Sequence, residues 1–369
     1  MKVEFTNLKQ QYLEIKSEVD AGLKKLFSKS NFILGKEVKD FEKAFSHYCG
    51  SKFGVGLNSG TDALFLGCLS LGIGQGDEVI VPAFTFIATA FAVTYTGAKV
   101  VFVDIDEKTK TIDVKKIEKA VTKKTKAIIP VHLYGQSADM DEIIAIAKRH
   151  KLKIIEDAAQ AHGAQYKGRS CGSMSDVGCF SFYPTKNLGA FGDGGMVVTD
   201  NKKIYEKLTM LRDCGRLGRY KHTIKGYNSR LDTMQAVMLT AKLKHLDKWN
   251  KMRQENASLY NSLLKDEEKI ITPFQAENRN HIFHIYAVRV KKRDFIIESM
   301  LKKGINALIH YPFPLHLQEA YQELGYKKGD FPIAEKVASE IISLPMSPHL
   351  SKEKIKFVAK ILKDLIDGR

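Results

Sequence analysis

The stretch FSFYPTKNLGAFGDGG, Phe180 to Gly195, sets one lysine between an aromatic run and a glycine-rich turn. Lysines on solvated faces usually sit among other charges. The neighbours of Lys186 are instead Tyr183, Pro184, Thr185, Asn187, Leu188 and glycines. The residues leading in, DVGCFSFY, and those leading out, GGMVVTD, read as short β-strands. Lys186 therefore follows the carboxyl end of a strand, and the elements around it decide what it can do.

Upstream lie five more β-rich runs: KFGVGLN, DEVIVP, KVVFVDI, KAIIPVHL and KIIEDAA. Several are almost continuously apolar, as strands covered on both faces are. Apolar residues of helical period fill the gaps at Asp62–Leu71, Ile87–Tyr95, Val114–Val121 and Met140–Arg149. Such alternation predicts an α/β fold: a large domain with a mostly parallel seven-stranded sheet flanked by helices. Past residue 200 come a helix (Lys202–Leu211), a Gly/Arg/Tyr-rich loop and one long helical stretch, Thr233–Leu264. The pattern then changes to a strand, HIFHIYAVRV, a helix at Ile296–Lys303 and two closing helices. This predicts a large domain over residues 1–249 and a smaller α+β C-terminal domain over residues 250–369.

Of the 369 residues, 44% are apolar and 27% charged, which suits a soluble chain with a sizeable core. No apolar run approaches the roughly 18 residues of a membrane span, and MKVEFTNLKQQYLEIK lacks a secretory h-region. Cys49, Cys68, Cys171, Cys179 and Cys214 form no close pairs and no metal-ligand spacing, so a reducing cytoplasm and no metal are expected. The net charge of +16 raises nucleic acid as a partner. The lysines are dispersed, however, and no nucleic-acid-binding motif accompanies them. A small anionic substrate suits the charge better.

Ligands of open α/β sheets bind beyond the carboxyl ends of the strands. After KFGVGLN, the turn SGTDAL opens a helix whose free N–H groups suit a phosphate, although an ordinary cap has the same composition. After DEVIVP come Phe84 and Phe86, which packing alone would explain. Asp157 closes the apolar run KIIED, with Gln160 and His162 just behind. A carboxylate there is either a cap or the partner of a buried cation. After GCFSF come Ser181, Tyr183 and Lys186. A phosphate cradle, an aromatic plate, a carboxylate and a desolvated lysine together meet the needs of pyridoxal 5′-phosphate. Its aldehyde condenses with a lysine, its ring nitrogen pairs with an anion, and its phosphate takes N–H and hydroxyl donors.

The chain resembles the DegT/DnrJ/EryC1/StrS family of sugar aminotransferases, fold type I pyridoxal-phosphate enzymes. The likeness runs nearly end to end through NFILGKEVKDFEKAF, GLNSGTDAL, GDEVIVPAFTFIATA, IPVHLYGQSADM, IIEDAAQAHGA, FSFYPTKNLGAFGDGG, GYNSRLDTMQA and HYPFPLHLQEAY. It implies that Lys186 carries the cofactor and then shuttles the proton. It implies that Asp157 pairs with the ring nitrogen, Gln160 meets the ring hydroxyl and Phe86 stacks on the ring. Gly60, Thr61 and Ser181 would hold the phosphate. Asn228 would reach the phosphate in a neighbouring subunit, giving a homodimer with shared sites. His310, Tyr311 and His316 would lie near the sugar nucleotide.

Members that aminate a 4-ketone usually carry histidine before the proline, where this chain has Tyr183. That resembles the enzymes of dTDP-3-keto-6-deoxyhexoses, with L-glutamate as donor and 2-oxoglutarate as its product. Tyr183, Lys221, His310 and Tyr311 are the candidates for the diphosphate. The product would be a dTDP-3-amino-3,6-dideoxyhexose for surface glycans. Rivals are the same chemistry on a 4-keto or UDP-linked sugar, a dehydratase with histidine in place of the lysine, and a non-catalytic regulator. Lys186 argues against the dehydratase. Its retention together with Asp157, Gln160 and Ser181 argues against the regulator.

Overall fold

The computed structural model describes residues 1–368. Two helices precede the sheet, α1 (Leu8–Lys29) and α2 (Lys36–Cys49). In α1 the buried positions Gln11, Ile15, Val19 and Leu26 form a thin stripe, and the Asn7 side chain caps the start by accepting from the Gln10 N–H. The sheet contains β1 (Phe53–Leu57), β2 (Glu78–Pro82), β3 (Lys99–Val103), β4 (Thr125–Ile128), β5 (Lys153–Asp157), β6 (Val177–Ser181) and β7 (Gly195–Thr199). Its order is β1-β7-β6-β5-β4-β2-β3. Four neighbouring pairs are parallel. Only β7 runs against its neighbours β6 and β1, so the mostly parallel sheet expected from the alternation is present.

Helices α3 (Gly60–Ser70), α4 (Ala88–Thr94), α5 (Val114–Ala120) and α6 (Met140–His150) connect successive strands, and α7 (Lys202–Leu211) follows β7. Val55, Val79, Val81, Ile155 and Val177 are fully buried beneath them, which is why these strands read as continuous apolar runs. Six strands point their carboxyl ends the same way. The turns after β1, β2, β5 and β6 therefore open on one edge.

The long helical stretch is two helices, α8 (Thr233–Leu243) and α9 (Leu246–Leu264). No proline or glycine breaks it. The break is tertiary: Lys244 and His245 both reach Glu18 of α1, at 2.9 and 2.7 Å, and His245 stacks on Trp249. A second core forms around β8 (Tyr286–Arg289) and β9 (Ile341–Leu344), an antiparallel pair, with α9, α10 (Arg293–Lys302) and α12 (Lys352–Ile366). Tyr260 stacks on Tyr286 there, with centroids 4.8 Å apart. Val3 joins this core through a bridge to Ile305, whereas α11 (Pro332–Glu340) packs its buried face with the residues of the sheet.

Candidate active site

The turns at the carboxyl edge, with His284, Ile285, His310 and Tyr311, line a cavity of about 400 Å³. Gly60, Thr61, Phe86, Asp157, Gln160, Ser181, Tyr183, Lys186, His310 and Tyr311 all line it. Ten of the residues marked from sequence thus meet in one place.

At one end lies the start of α3. The Ser59 hydroxyl caps it by accepting from the Asp62 N–H at 3.1 Å. The Gly60 and Thr61 N–H groups find no backbone acceptor among the described residues. A Cβ on Gly60 would lie 2.4 Å from Cβ of Ser181, so only glycine lets the two turns approach this closely. Ser181 Oγ accepts from the Tyr183 N–H at 3.3 Å, which leaves its own proton to donate. Two N–H groups and a hydroxyl converging at a helix start fit a phosphate.

Asp157 is buried at the other end. Its Oδ2 accepts from the Thr89 hydroxyl at 2.7 Å and its Oδ1 from the Ala159 N–H at 3.1 Å. Burial nonetheless raises its carboxyl above the ordinary aspartate range, with Thr89, Ala159 and the charges of Lys186 and His132 opposing. A cationic ring nitrogen is the missing compensation for such a group. Burial pulls the amine of Lys186 down to about 8, opposed by the charge of Asp157. A substantial neutral fraction near physiological pH is what a carbonyl-condensing lysine needs.

Gln160 is held at both ends of its amide: Oε1 accepts from the Tyr134 N–H at 2.8 Å, and Nε2 donates to the Tyr311 hydroxyl at 3.0 Å. Phe86 keeps half its surface open to the cleft, 51% exposed, with its ring 5.7 Å from that of Tyr311. Phe84, by contrast, is core. Tyr183 stands at the mouth, 53% exposed. His310 Nδ1 pairs with the Ser343 hydroxyl at 2.9 Å, and burial plus the charge of Lys186 push its ring down to about 4.

His316 does not line this cavity. The short helical turn Leu315–Leu317 buries it edge-on to Phe331, with Nε2 3.0 Å from Glu335 Oε1. Lys221 and Asn228 lie outside the cavity, exposed on the arm that follows α7.

Several site residues had no clear mark in the sequence. His284 lines the cavity, and its Nδ1–H donates to Asn187 Oδ1 at 3.2 Å, leaving Nε2 as an acceptor. Burial and then the charge of Lys186 hold this ring well below the ordinary histidine range. Asn187, next to Lys186, also donates to Asn250 Oδ1 at 2.7 Å and to the Ile282 carbonyl at 3.3 Å. Thr85 and Thr89, four residues apart in AFTFIATA beside Phe84 and Phe86, also line the cavity.

A phosphate cradle, a buried carboxylate and a desolvated lysine at the carboxyl edge of this sheet define a fold type I pyridoxal-phosphate transferase. The sequence model of the DegT/DnrJ/EryC1/StrS aminotransferase family matches residues 13–363, and the chain belongs to that family. It is 47% identical over 98% of its length, and 97% of the relative's, to the "pleiotropic regulatory protein" of Geobacillus stearothermophilus. It is 46% identical, over 95% and 93% of the two chains, to dTDP-3-amino-3,4,6-trideoxy-alpha-D-glucose transaminase of Streptomyces venezuelae. A third relative, at 43% over 99% and 98%, is the UDP-N-acetyl-3-dehydro-alpha-D-glucosamine 3-aminotransferase of Acidithiobacillus ferrooxidans. Among solved structures, S. venezuelae DesV superposes with a TM-score of 0.97 at 45% identity, covering 99% of each chain. That of ntda from Bacillus subtilis, with bound cofactor pmp, gives 0.92 at 32% identity, over 99% of this chain and 85% of the other.

Proposed function

We propose that this sugar-nucleotide aminotransferase moves the amino group of L-glutamate to C-3 of a dTDP-3-keto-6-deoxyhexose. The product is a dTDP-3-amino-3,6-dideoxyhexose for surface glycan assembly in the cytoplasm. The observation that carries the aminotransferase reading is the convergence of Lys186, Asp157, Ser181 and the α3 start on one cleft. Pyridoxal 5′-phosphate, when bound, supplies the electron sink that lets an amino group pass between two carbon skeletons. Gly60, Thr61 and Ser181 hold its phosphate. Asp157 keeps its ring nitrogen protonated, Gln160 meets the ring hydroxyl and Phe86 covers the ring. Lys186 would bind the cofactor and afterwards carry a proton between cofactor and substrate carbons, a task for which an amine near 8 is suited.

Tyr183, His310 and Tyr311 line the cleft in which the nucleotide diphosphate would lie. The choice of C-3 rests on Tyr183 in place of histidine and on the 3-amino and 3-dehydro sugars named for the relatives. Those names span dTDP- and UDP-linked sugars, so a UDP-linked 3-keto sugar is the second reading. Asn228 and Lys221, exposed and without a role in their own cleft, act across a homodimer at the partner's site.

Incubation with glutamate and dTDP- or UDP-linked 3-keto and 4-keto sugars, with NMR of the product, tests the assignment. The 4-keto isomer should react at least roughly a hundredfold more slowly, because a carbonyl shifted by about 1 Å or more loses its alignment. An amine on C-4 would overturn the regiochemistry alone. No amino sugar from any ketone, with the cofactor bound, would overturn the function.

A further inference from the structure

Several helical threonines of this chain turn their hydroxyls back onto their own helix, whereas Thr89 of α4 does not. Thr94, Thr209 and Thr240 each return the hydroxyl to the carbonyl four residues back, at 3.3, 2.9 and 2.7 Å. Thr96 uses the carbonyl three residues back at 2.7 Å. That is the ordinary fate of a helical threonine. Thr89, in the first turn of α4 and 1% exposed, instead sends its hydroxyl across the cleft floor to Oδ2 of Asp157, 2.7 Å away.

The direction of this bond follows from the groups. An ionised carboxylate only accepts, so the single proton of Thr89 is committed to it. The Thr85 hydroxyl, 3.2 Å from that of Thr89, then has to be the donor between the two. A relay runs from Thr85 through Thr89 to Asp157. The Ala159 N–H holds the other carboxylate oxygen. One donor on each oxygen restrains the carboxylate, and Asp157 lines the cavity.

We propose that Thr89 is a positioning residue that keeps Asp157 ionised and turned into the cleft, so that it can hold a cationic ring nitrogen there. Two features support this beyond simple satisfaction of a buried hydroxyl. Thr85, Thr89 and Asp157 all line the same cavity, so the relay ends at the space the cofactor would fill. Thr89 is also the foremost group opposing the burial that raises the carboxyl of Asp157. The other groups facing Asp157 are few. Lys186 from the turn after β6 and His132 from the segment after β4 favour its charge. The Tyr311 hydroxyl and the buried Cys179 thiol of β6 feel its charge and are held neutral by burial. Neither of the last two donates to it, which leaves Thr89, among the described residues, as the one side chain in hydrogen-bond contact with it.

The proposal rests on reading Asp157 as the partner of the ring nitrogen, and the test separates the two ideas. Thr89→Val keeps the branched shape and removes the hydroxyl; Thr89→Ser keeps the hydroxyl and removes a methyl group. Each full-length variant is loaded with pyridoxal phosphate, and two quantities are read: the dissociation constant and the pH midpoint of the cofactor's visible band. A hydroxyl role makes Val the damaging change. The dissociation constant should rise about tenfold or more, as for loss of a hydrogen bond to a charged group. The band midpoint should move to higher pH, because a less positive ring draws less electron density from the Lys186 nitrogen, which then keeps its proton longer. Ser should restore both values. A packing role predicts the reverse order, with Val harmless and Ser impaired, and that result overturns the proposal, as does a Val variant matching the native protein in both readouts. Asp157→Asn is the control: if it too leaves both quantities unchanged, the reading of Asp157 itself is wrong.

Discussion

The carboxyl edge of the sheet and the arm after α7 both carry residues marked for the site, yet they are built in opposite ways. At the sheet edge, Asp157, Gln160 and Asn187 have their hydrogen-bond partners within the same chain and are nearly removed from water. The arm is secured at its root, where Asp213 takes Arg216 and Arg230, and by a backbone bridge from Asp213 to Asn228. Beyond that root Tyr220 is 79% exposed and Leu217 57%. Apolar side chains held out on a short two-stranded ribbon suit a surface that a second protein covers. The contrast teaches that one region is complete in a single chain, whereas the other makes sense in the proposed dimer.

The hardest test of that contrast is Lys186→Ala. Turnover should fall by on the order of 10²–10⁴-fold or more while the melting temperature holds, because no other amine takes the same position. A rate within tenfold of native would break the reading of the sheet edge. Next in size is complementation between the regions. Subunits carrying Lys186→Ala, mixed with subunits carrying Asn228→Ala, should regain about half the turnover of a native dimer, since one site of the pair then holds both native groups. Separately tagged subunits let the mixed dimer be purified and assayed. No recovery in that species would mean that Asn228 serves its own chain.

Asp157→Asn should weaken cofactor retention by about 1.5–3 kcal/mol, the usual worth of a charge-assisted hydrogen bond, as read by equilibrium dialysis. The same dialysis on Asn228→Ala in homodimers should show a smaller loss, because a neutral amide at a solvated phosphate is the weaker contact.

The smallest expected effect concerns pH. The Lys186 amine lies near 8 in the folded protein and at 10.5 when free, so the unfolded chain binds more protons between those values. Stability of the cofactor-free protein from this group therefore rises as pH climbs from about 8 to 10.5. Lys186→Met lacks the charge, so it should melt higher than the native apoprotein below pH 8, and the gap should close toward pH 10.5. A gap that widens with pH would show that Lys186 is not desolvated.

Much of the site was legible because its chemistry is strung along consecutive strands. Asp157 ends β5 with Gln160 just beyond, Ser181 ends β6 with Lys186 just beyond, and parallel strands bring such ends to one edge whatever the details of packing. His316 lies six residues from His310 in one motif, yet a short helical turn sends the two rings to different neighbours, which spacing alone does not reveal. The helix α1 gives a weak signal, since four buried residues are spread over 22 among lysines and acids. The break between α8 and α9 has no breaker residue and depends on Glu18, more than 200 positions away in sequence.

The sequence by itself determined the sheet, the edge on which the candidate site stands and the lysine proposed to act there. Strand period, helix period and the costs of burying charge are local properties of the chain. Only the tertiary structure decided that Thr89 turns to Asp157, that Asn187 meets Asn250 and His284, and that Tyr220 and Leu217 point away from their own chain's core. Hydrogen bonds of that kind join residues 63 to 97 positions apart, and no periodicity records which donor will face which acceptor once water has been excluded.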